Sequence, residues 1–171
     1  MPRTRNVDDP YYGELTIRTD SERGVVEVSG EQVPPVVIQR SPDAEVSEFV
    51  PIGTRKADRL TMSVDGAEAG LRPGPGKLTR ASYRVDVTLA GTHYRFTPDS
   101  DDYTLLKRDG AGIASFGLDT AGKFTVFWQA RREDSRPADA AIGYALSVAF
   151  RTGALGIFTV LLNGSENVQR P

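Results

Sequence analysis

His93 is the only histidine in the chain, which removes any His–His metal site and any mechanism that needs two imidazoles. A lone imidazole acts as a general base when a carboxylate partners it. The surrounding THYRF reads as a strand with His93 on its outward face, so a surface histidine is the expectation. Acidic residues gather at PDSDDY, with Asp99, Asp101 and Asp102. A calcium loop of the EF-hand type needs a later glycine and a distal glutamate at fixed spacing. Neither is found, and a solvated turn accounts for the cluster. The segment LRPGPGK has glycines and a lysine but not the G-x-x-x-x-G-K-[ST] spacing, and its prolines remove backbone donors that would cradle a phosphate. Gly110-Ala111-Gly112 is a turn with no helix behind it. Ser41, Ser63, Ser82, Ser115 and Ser147 lack the context of a nucleophile elbow. Cysteine is absent, so there is no thiol nucleophile, thiolate metal site or disulfide framework. No catalytic residue, metal site or cofactor is therefore assigned.

One cluster remains that could bind. Lys107, Arg108, Lys123, Arg131, Arg132 and Arg136 fall close together in sequence, near strand ends and the start of a helix. They could form an anion-binding rim. Asp109, Asp119, Glu133 and Asp134 stand among them and would neutralise part of that charge. Arginine suits such a role because its planar fork matches carboxylates and phosphates, and only four of the 21 basic residues are lysines.

The whole chain has a formal charge of −2, with 21 basic and 23 acidic residues interspersed. That balance argues against general nucleic-acid affinity, which needs a surplus of phosphate-neutralising cations. The start, MPRTRNVDDPYY, has no apolar stretch and no small-residue cleavage pattern of a secretory signal. No run approaches the roughly 18 apolar residues of a spanning helix. The expected location is cytoplasmic, peripheral at a membrane if anionic lipid is the ligand.

The elements that must position these residues are mostly strands. The chain has 171 residues, 39% of them hydrophobic, enough for one good core. Residues 1–10 read as a flexible tail, 11–164 as a single domain and 165–171 as a second tail. Tyr12–Ile17 and Val25–Val28 alternate apolar and polar residues around the turn SERG. Val33–Ile38 carries Pro34-Pro35, which points to a sheet edge or an extended lead-in. Glu45–Ile52 and Leu60–Val64 are weaker strand candidates. DGAEAGLRPGPGK, 65–77, holds four glycines and two prolines and reads as a long crossover loop.

The second half is patterned more strongly. Val85, Val87 and Leu89 alternate with Asp86 and Thr88. If Ala90-Gly91 is a two-residue loop, Val85 faces Phe96, Val87 faces Tyr94 and Leu89 faces Thr92, all on one side. Asp86 then meets Arg95, and Thr88 meets His93, on the other. A bulged loop would shift this register, because Ala-Gly is not a favoured turn pair. Tyr103–Arg108, Ile113–Leu118 and Lys123–Gln129 follow as strands. In the last, Phe124, Val126 and Trp128 share a face and Phe127 points the other way, which predicts cover on both sides. Strands about ten residues apart predict an antiparallel barrel or sandwich.

Near the C-terminus the pattern changes to a helix, over about 137–152. Ser135 or Asp134 is placed to cap it, Pro137 fits its first turn, and Asp139 complements the positive end of its dipole. Ala140–Phe150 carries no charge, so the helix should be buried nearly all round. Its alanines and Gly143 allow surrounding backbone to come close. At about 1.5 Å per residue some 15 residues make only ~22 Å, too short to span a bilayer core of ~30 Å. The simplest way to bury it is a barrel wrapped around it, with a β-sandwich and packed helix as the alternative. Residues 156–164 read equally as a closing strand or a second short helix.

The stretch from about Tyr83 to Gly153, with VTLAGTHYRF, LLKRDG, FTVFWQ and DAAIGYALSVAF, resembles the tubby C-terminal-like superfamily. That superfamily includes the LURP-one-related proteins and the phospholipid scramblases. The resemblance implies a twelve-stranded barrel around a central helix and a non-enzymatic role near membranes. It transfers no lipid-contacting residue to this chain. The expected function is a binding or scaffold module whose ligand is an anionic lipid or a protein partner. The alternative is a small-molecule carrier or barrel enzyme with a pocket the pattern does not reveal.

Overall fold

Every strand pairs antiparallel with the strand before it and the strand after it, so the sheet is one continuous meander. In the computed structural model, residues 1–153 are described. They form β1 (Arg3–Asp9), β2 (Gly13–Asp20), β3 (Val25–Gly30), β4 (Val33–Arg40), β5 (Leu60–Val64), β6 (Ala67–Pro73), β7 (Val85–Leu89), β8 (Thr92–Pro98), β9 (Thr104–Arg108), β10 (Ala111–Leu118), β11 (Phe124–Trp128) and one helix, α1 (Pro137–Phe150). The eleven strands curl into a nearly closed barrel around α1. The described strands form one sheet, a barrel rather than the sandwich alternative. Residues 156–164 and 165–171 lie outside the described residues.

The helix is buried because nothing on it can face water. Every side chain from Asp139 to Phe150 is buried. It packs on β3 and β4 on one side and on β9 and β10 on the other, and Tyr144 reaches Phe124 of β11, ring centroids 5.1 Å apart. Ile142, Leu146 and Phe150 each contribute about 1.5–3 kcal/mol by leaving water. Gly143 is where the sheet comes closest: a Cβ there would overlap the Phe116 ring. The one serine of α1 is satisfied within the helix: Ser147 Oγ donates to the Gly143 carbonyl at 2.7 Å, the usual helical answer to a buried serine.

The β7–β8 hairpin has the register expected, with Val85 opposite Phe96, Asp86 opposite Arg95, Val87 opposite Tyr94, Thr88 opposite His93 and Leu89 opposite Thr92. Ala90 and Gly91 take φ of 47° and 83°, the left-handed pair that a two-residue hairpin turn requires. Alanine accepts this at a cost of roughly 1–2 kcal/mol.

Four expectations are corrected. Residues 1–10 are not a tail, since Arg3–Asp9 pairs along its full length with β2. Val7 is nearly its only apolar residue, so pairing rather than periodicity makes it a strand. Val33–Arg40 is not an edge. It is bonded to β3 and β5, and its prolines sit where the β3 register shifts and before pairing with β5 begins at Val36. Glu45–Ile52 is a loop, because β4 and β5 pair directly and leave it no partner. It folds over the end of α1, with Ile52 N–H donating to the Ala149 carbonyl at 3.1 Å. Finally, 65–77 is not a crossover loop. Asp65-Gly66 turns at φ of 51° and 79°, and Ala67–Pro73 returns as β6 with Ala69 and Leu71 facing the core.

At the ends of α1, the Asp139 carboxylate accepts from Arg136 N–H at 2.8 Å, so Arg136 rather than Ser135 or Asp134 is the N-cap position. The helix stops at Phe150, two residues before the expected end. Thr152 Oγ1 then accepts from Leu118 N–H at 2.7 Å, which ties the exit to β10.

Among the described residues, β1 and β11 are the two ends of the sheet, and side chains link them. Arg5 Nη1 donates to the Gly122 carbonyl at 2.9 Å. Tyr11 stacks on Trp128 at 4.6 Å and donates its hydroxyl to the Ala130 carbonyl at 2.8 Å. Such cover protects strand edges that would otherwise pair with another chain. Phe127, by contrast, is 57% exposed, with Tyr103 against it among the described residues, centroids 5.5 Å apart, so the outer face of β11 is less covered than expected.

Candidate functional site

The six cations expected to form one rim do not share a surface. Arg108 turns inward and forms an ion pair with fully buried Asp139, and its Nη2 donates to the Asp134 carbonyl at 3.0 Å. It is part of the core's electrostatics. Arg131, Arg132 and Arg136 are exposed nearby, at the N-terminal end of α1. Arg132 lies over the Tyr12 ring at 5.7 Å and donates to the Tyr11 carbonyl at 3.1 Å. Lys123 sits in the β10–β11 turn, separated from them by the length of β11, about 17 Å at ~3.3 Å per residue. Lys107 faces outward from β9.

Lys107 does belong to a cationic surface, but one assembled by strand register. Arg72 of β6 stands opposite Asp86 of β7, Asp86 opposite Arg95 of β8, and Arg95 opposite Lys107 of β9. These four form a row across the outer face. Arg84 and His93 reach the same carboxylate, with Arg84 Nε 3.5 Å and His93 Nε2 3.1 Å from Asp86, and Arg95 Nε is at 2.8 Å. The bond to Asp86 holds the Arg95 guanidinium above its ordinary pKa. Arg84, Arg95 and His93 thus converge on one acid, with Arg72 opposite it and Lys107 one strand further along the row. His93 is the surface residue expected from the sequence, packed on Asp86 and away from the core.

The acidic cluster is also a turn. Asp99 N–H and Ser100 N–H donate to the Tyr103 carbonyl, and Asp101 pairs with Arg80 at 3.1 Å. Among the described residues no three His, Asp or Glu side chains converge as metal ligands would.

A second charged region lies at the mouth of the barrel, where α1 ends. Asp9 and Asp139 are buried at the start of the helix, and Arg40, Arg55 and Arg151 gather at its end. This polarity complements the helix dipole, which favours anions at the N-terminus and cations at the C-terminus. None of those three arginines has an ion pair among the described residues. Arg40 is a strut: it is 6% exposed, and its guanidinium donates to the Ile52 and Glu22 carbonyls, both at 2.9 Å. Arg55 lies between the rings of Tyr83 and Phe150, 5.5 and 5.4 Å from their centroids. Its Nε donates to the Gly74 carbonyl at 2.9 Å and its Nη2 to the Arg84 carbonyl at 3.1 Å. Burial, with Arg84 nearby, lowers its pKa to about 10.

Arg151 is the least satisfied. Its Nε is buried without a hydrogen-bond partner among the described residues. Its backbone, at φ 71° and ψ 173°, occupies a region that is essentially reserved for glycine. Arg55 and Arg151 line a cleft of about 520 Å³, walled by the 45–56 loop, Tyr83 and Phe150. Arg151 also borders a second cleft, about 500 Å³, beside Arg3, Arg5, Asp20 and Asp119.

The outer row follows from registers, and its β7–β8 part was legible in the alternation of Val85–Phe96. Arg72 was hidden because its strand looked like a loop. Arg55 gave no signal at all, because its neighbours at 74, 83, 84 and 150 are distant in sequence. Comparison with family models, with curated proteins and with solved structures found no match to this chain.

Proposed function

We propose that the protein is a non-enzymatic binding module whose outer face, across β6 to β9, docks on an anionic lipid surface. The observation that carries this is the row Arg72–Asp86–Arg95–Lys107, flanked by Arg84, on a chain whose overall charge is −2. A cationic face on a net-acidic molecule is a local feature that must be assembled, and here the strand registers assemble it. The resemblance of Tyr83–Gly153 to the tubby-like superfamily supports the same reading. Among the described residues no helix is long and apolar enough to cross a membrane, and the proposed contact is peripheral.

Basic side chains near an anionic membrane contribute about 1 kcal/mol each. Replacing Arg72, Arg95 and Lys107 by alanine should therefore weaken binding by ~3 kcal/mol, on the order of 100-fold. The test is sedimentation with vesicles of neutral, phosphatidylserine-containing and phosphoinositide-containing lipid at two salt concentrations. Binding confined to the anionic vesicles, weakened by salt and abolished in the triple variant, is the expected result. Equal binding to neutral vesicles, or a triple variant that binds like the parent, sinks the proposal.

A further inference from the structure

We infer that the cleft at the barrel mouth is a binding site for an amphipathic organic acid, a single anionic head group on an apolar body. This goes beyond docking of the outer face and uses different residues. The anion-recognising element is Arg55. It is held rigid by the carbonyls of Gly74 and Arg84 and by two aromatic rings, while Nη1 makes no bond to a described residue. A guanidinium fixed in this way is prepared for a carboxylate, because the ordering that binding demands is already complete. Lys56 and Arg151 also line the cleft, and Glu45 is the one carboxylate among the described residues on its wall. Arg151 adds a buried nitrogen with no partner among the described residues, on a backbone held in a conformation that costs energy.

Apart from Ser47 and Thr54, the rest of the described wall is largely apolar. Val46, Phe49, Val50 and Phe150 face the same space, and Val46 is 58% exposed. Its volume, about 520 Å³, lies within the range of roughly 300–1,000 Å³ typical of small-molecule sites. A compact inorganic anion would leave these side chains against water, and an uncharged hydrocarbon would leave the arginines without a counter-ion. One molecule carrying both features satisfies both. The barrel interior cannot serve, because α1 fills it.

The test is calorimetric titration of the full chain with decanoate below its micellar concentration, with decanol and inorganic phosphate as separate arms. Decanoate should bind, decanol at least tenfold more weakly, and phosphate without detectable heat. Val46→Asp places a negative charge on the cleft wall at an exposed position. It should weaken decanoate binding at least tenfold while leaving the Tm and vesicle binding of the parent. Arg55→Met, which keeps the apolar length between the two rings, should do the same to decanoate. The Arg72, Arg95 and Lys107 variant should bind decanoate like the parent, so this site and the outer face fail or succeed separately. Equal affinity for decanoate and decanol, phosphate binding as tight as decanoate, no decanoate heat, or a Val46→Asp variant with parental affinity would each overturn the assignment.

Discussion

The carboxylate of Asp9 accepts a hydrogen bond from the hydroxyl of Tyr144 at 2.7 Å, across a sequence separation of 135 residues. The same oxygen accepts from Trp128 Nε1 at 3.2 Å, and the other from the backbone N–H groups of Tyr11 and Tyr12 at 2.8 and 3.0 Å. One buried side chain thereby ties the first strand, the last strand and the central helix. Replacing Asp9 with leucine would strand one buried donor, the Tyr144 hydroxyl, at ~1–3 kcal/mol, and one half-buried donor, the Trp128 indole, at a smaller cost. We expect urea denaturation to show a loss of about 2–5 kcal/mol, with Asp9→Asn losing less than half of that.

Arg108 and Asp139 form the buried ion pair of the same end of the barrel. Asp139 Oδ1 has no hydrogen-bond partner among the described residues, so the aspartate depends on its cation. Removing one partner of a buried pair typically costs about 3–5 kcal/mol. Arg108→Met should lose stability in that range, and Arg108→Met with Asp139→Asn should recover part of it. A double variant as unstable as the sum of the single changes would show that the two do not interact.

Tyr94 is 1% exposed, and burial raises its pKa to about 12, with the nearby Asp139 charge acting in the same direction. Burial and Asp9 also raise Tyr144. An acid whose folded pKa lies above its unfolded value stabilises the fold below the unfolded value, near 10, and loses that contribution as pH climbs toward the folded one. Two units correspond to roughly 3 kcal/mol for Tyr94. Denaturation between pH 9 and 12 should show falling stability, with a shallower slope in Tyr94→Phe.

Arg151→Gly relieves a backbone strain of order 1–3 kcal/mol. It also removes a buried nitrogen that lacks a partner among the described residues. We expect a higher Tm together with weaker decanoate binding, a gain in stability set against a loss of ligand recognition. A lower Tm would mean that the arginine stem contributes more packing than its strain costs.

Asp86→Asn removes the single acid from the row of outer cations. Its exposed pairs are worth only about 0.2–1 kcal/mol each, so the fold should persist. Vesicle binding should strengthen severalfold at low salt, opposite in sign to the effect of losing Arg95. A weakening in Asp86→Asn would place the lipid contact elsewhere.

Local pattern determined much of this protein. Alternation from Val85 to Phe96 set a hairpin register that the fold retains, because a one-residue slip would turn every buried side chain outward. The uncharged run Ala140–Phe150 pointed to a helix buried all round, which a β-rich chain supplies most simply by wrapping it. Tertiary structure decided the rest. Arg3–Asp9 is a strand because β2 offers it a partner, Ala67–Pro73 because β5 and β7 lie on either side, and Glu45–Ile52 is a loop because β4 and β5 pair without it. Arg108 left the expected rim for the core because Asp139, thirty-one residues away, needs a cation there. Arg55 became the centre of a cleft through contacts at Gly74, Tyr83, Arg84 and Phe150. Periodicity reports which face of an element is buried. Which side chains from different elements meet is fixed by the closing of the sheet, and no window of the sequence contains it.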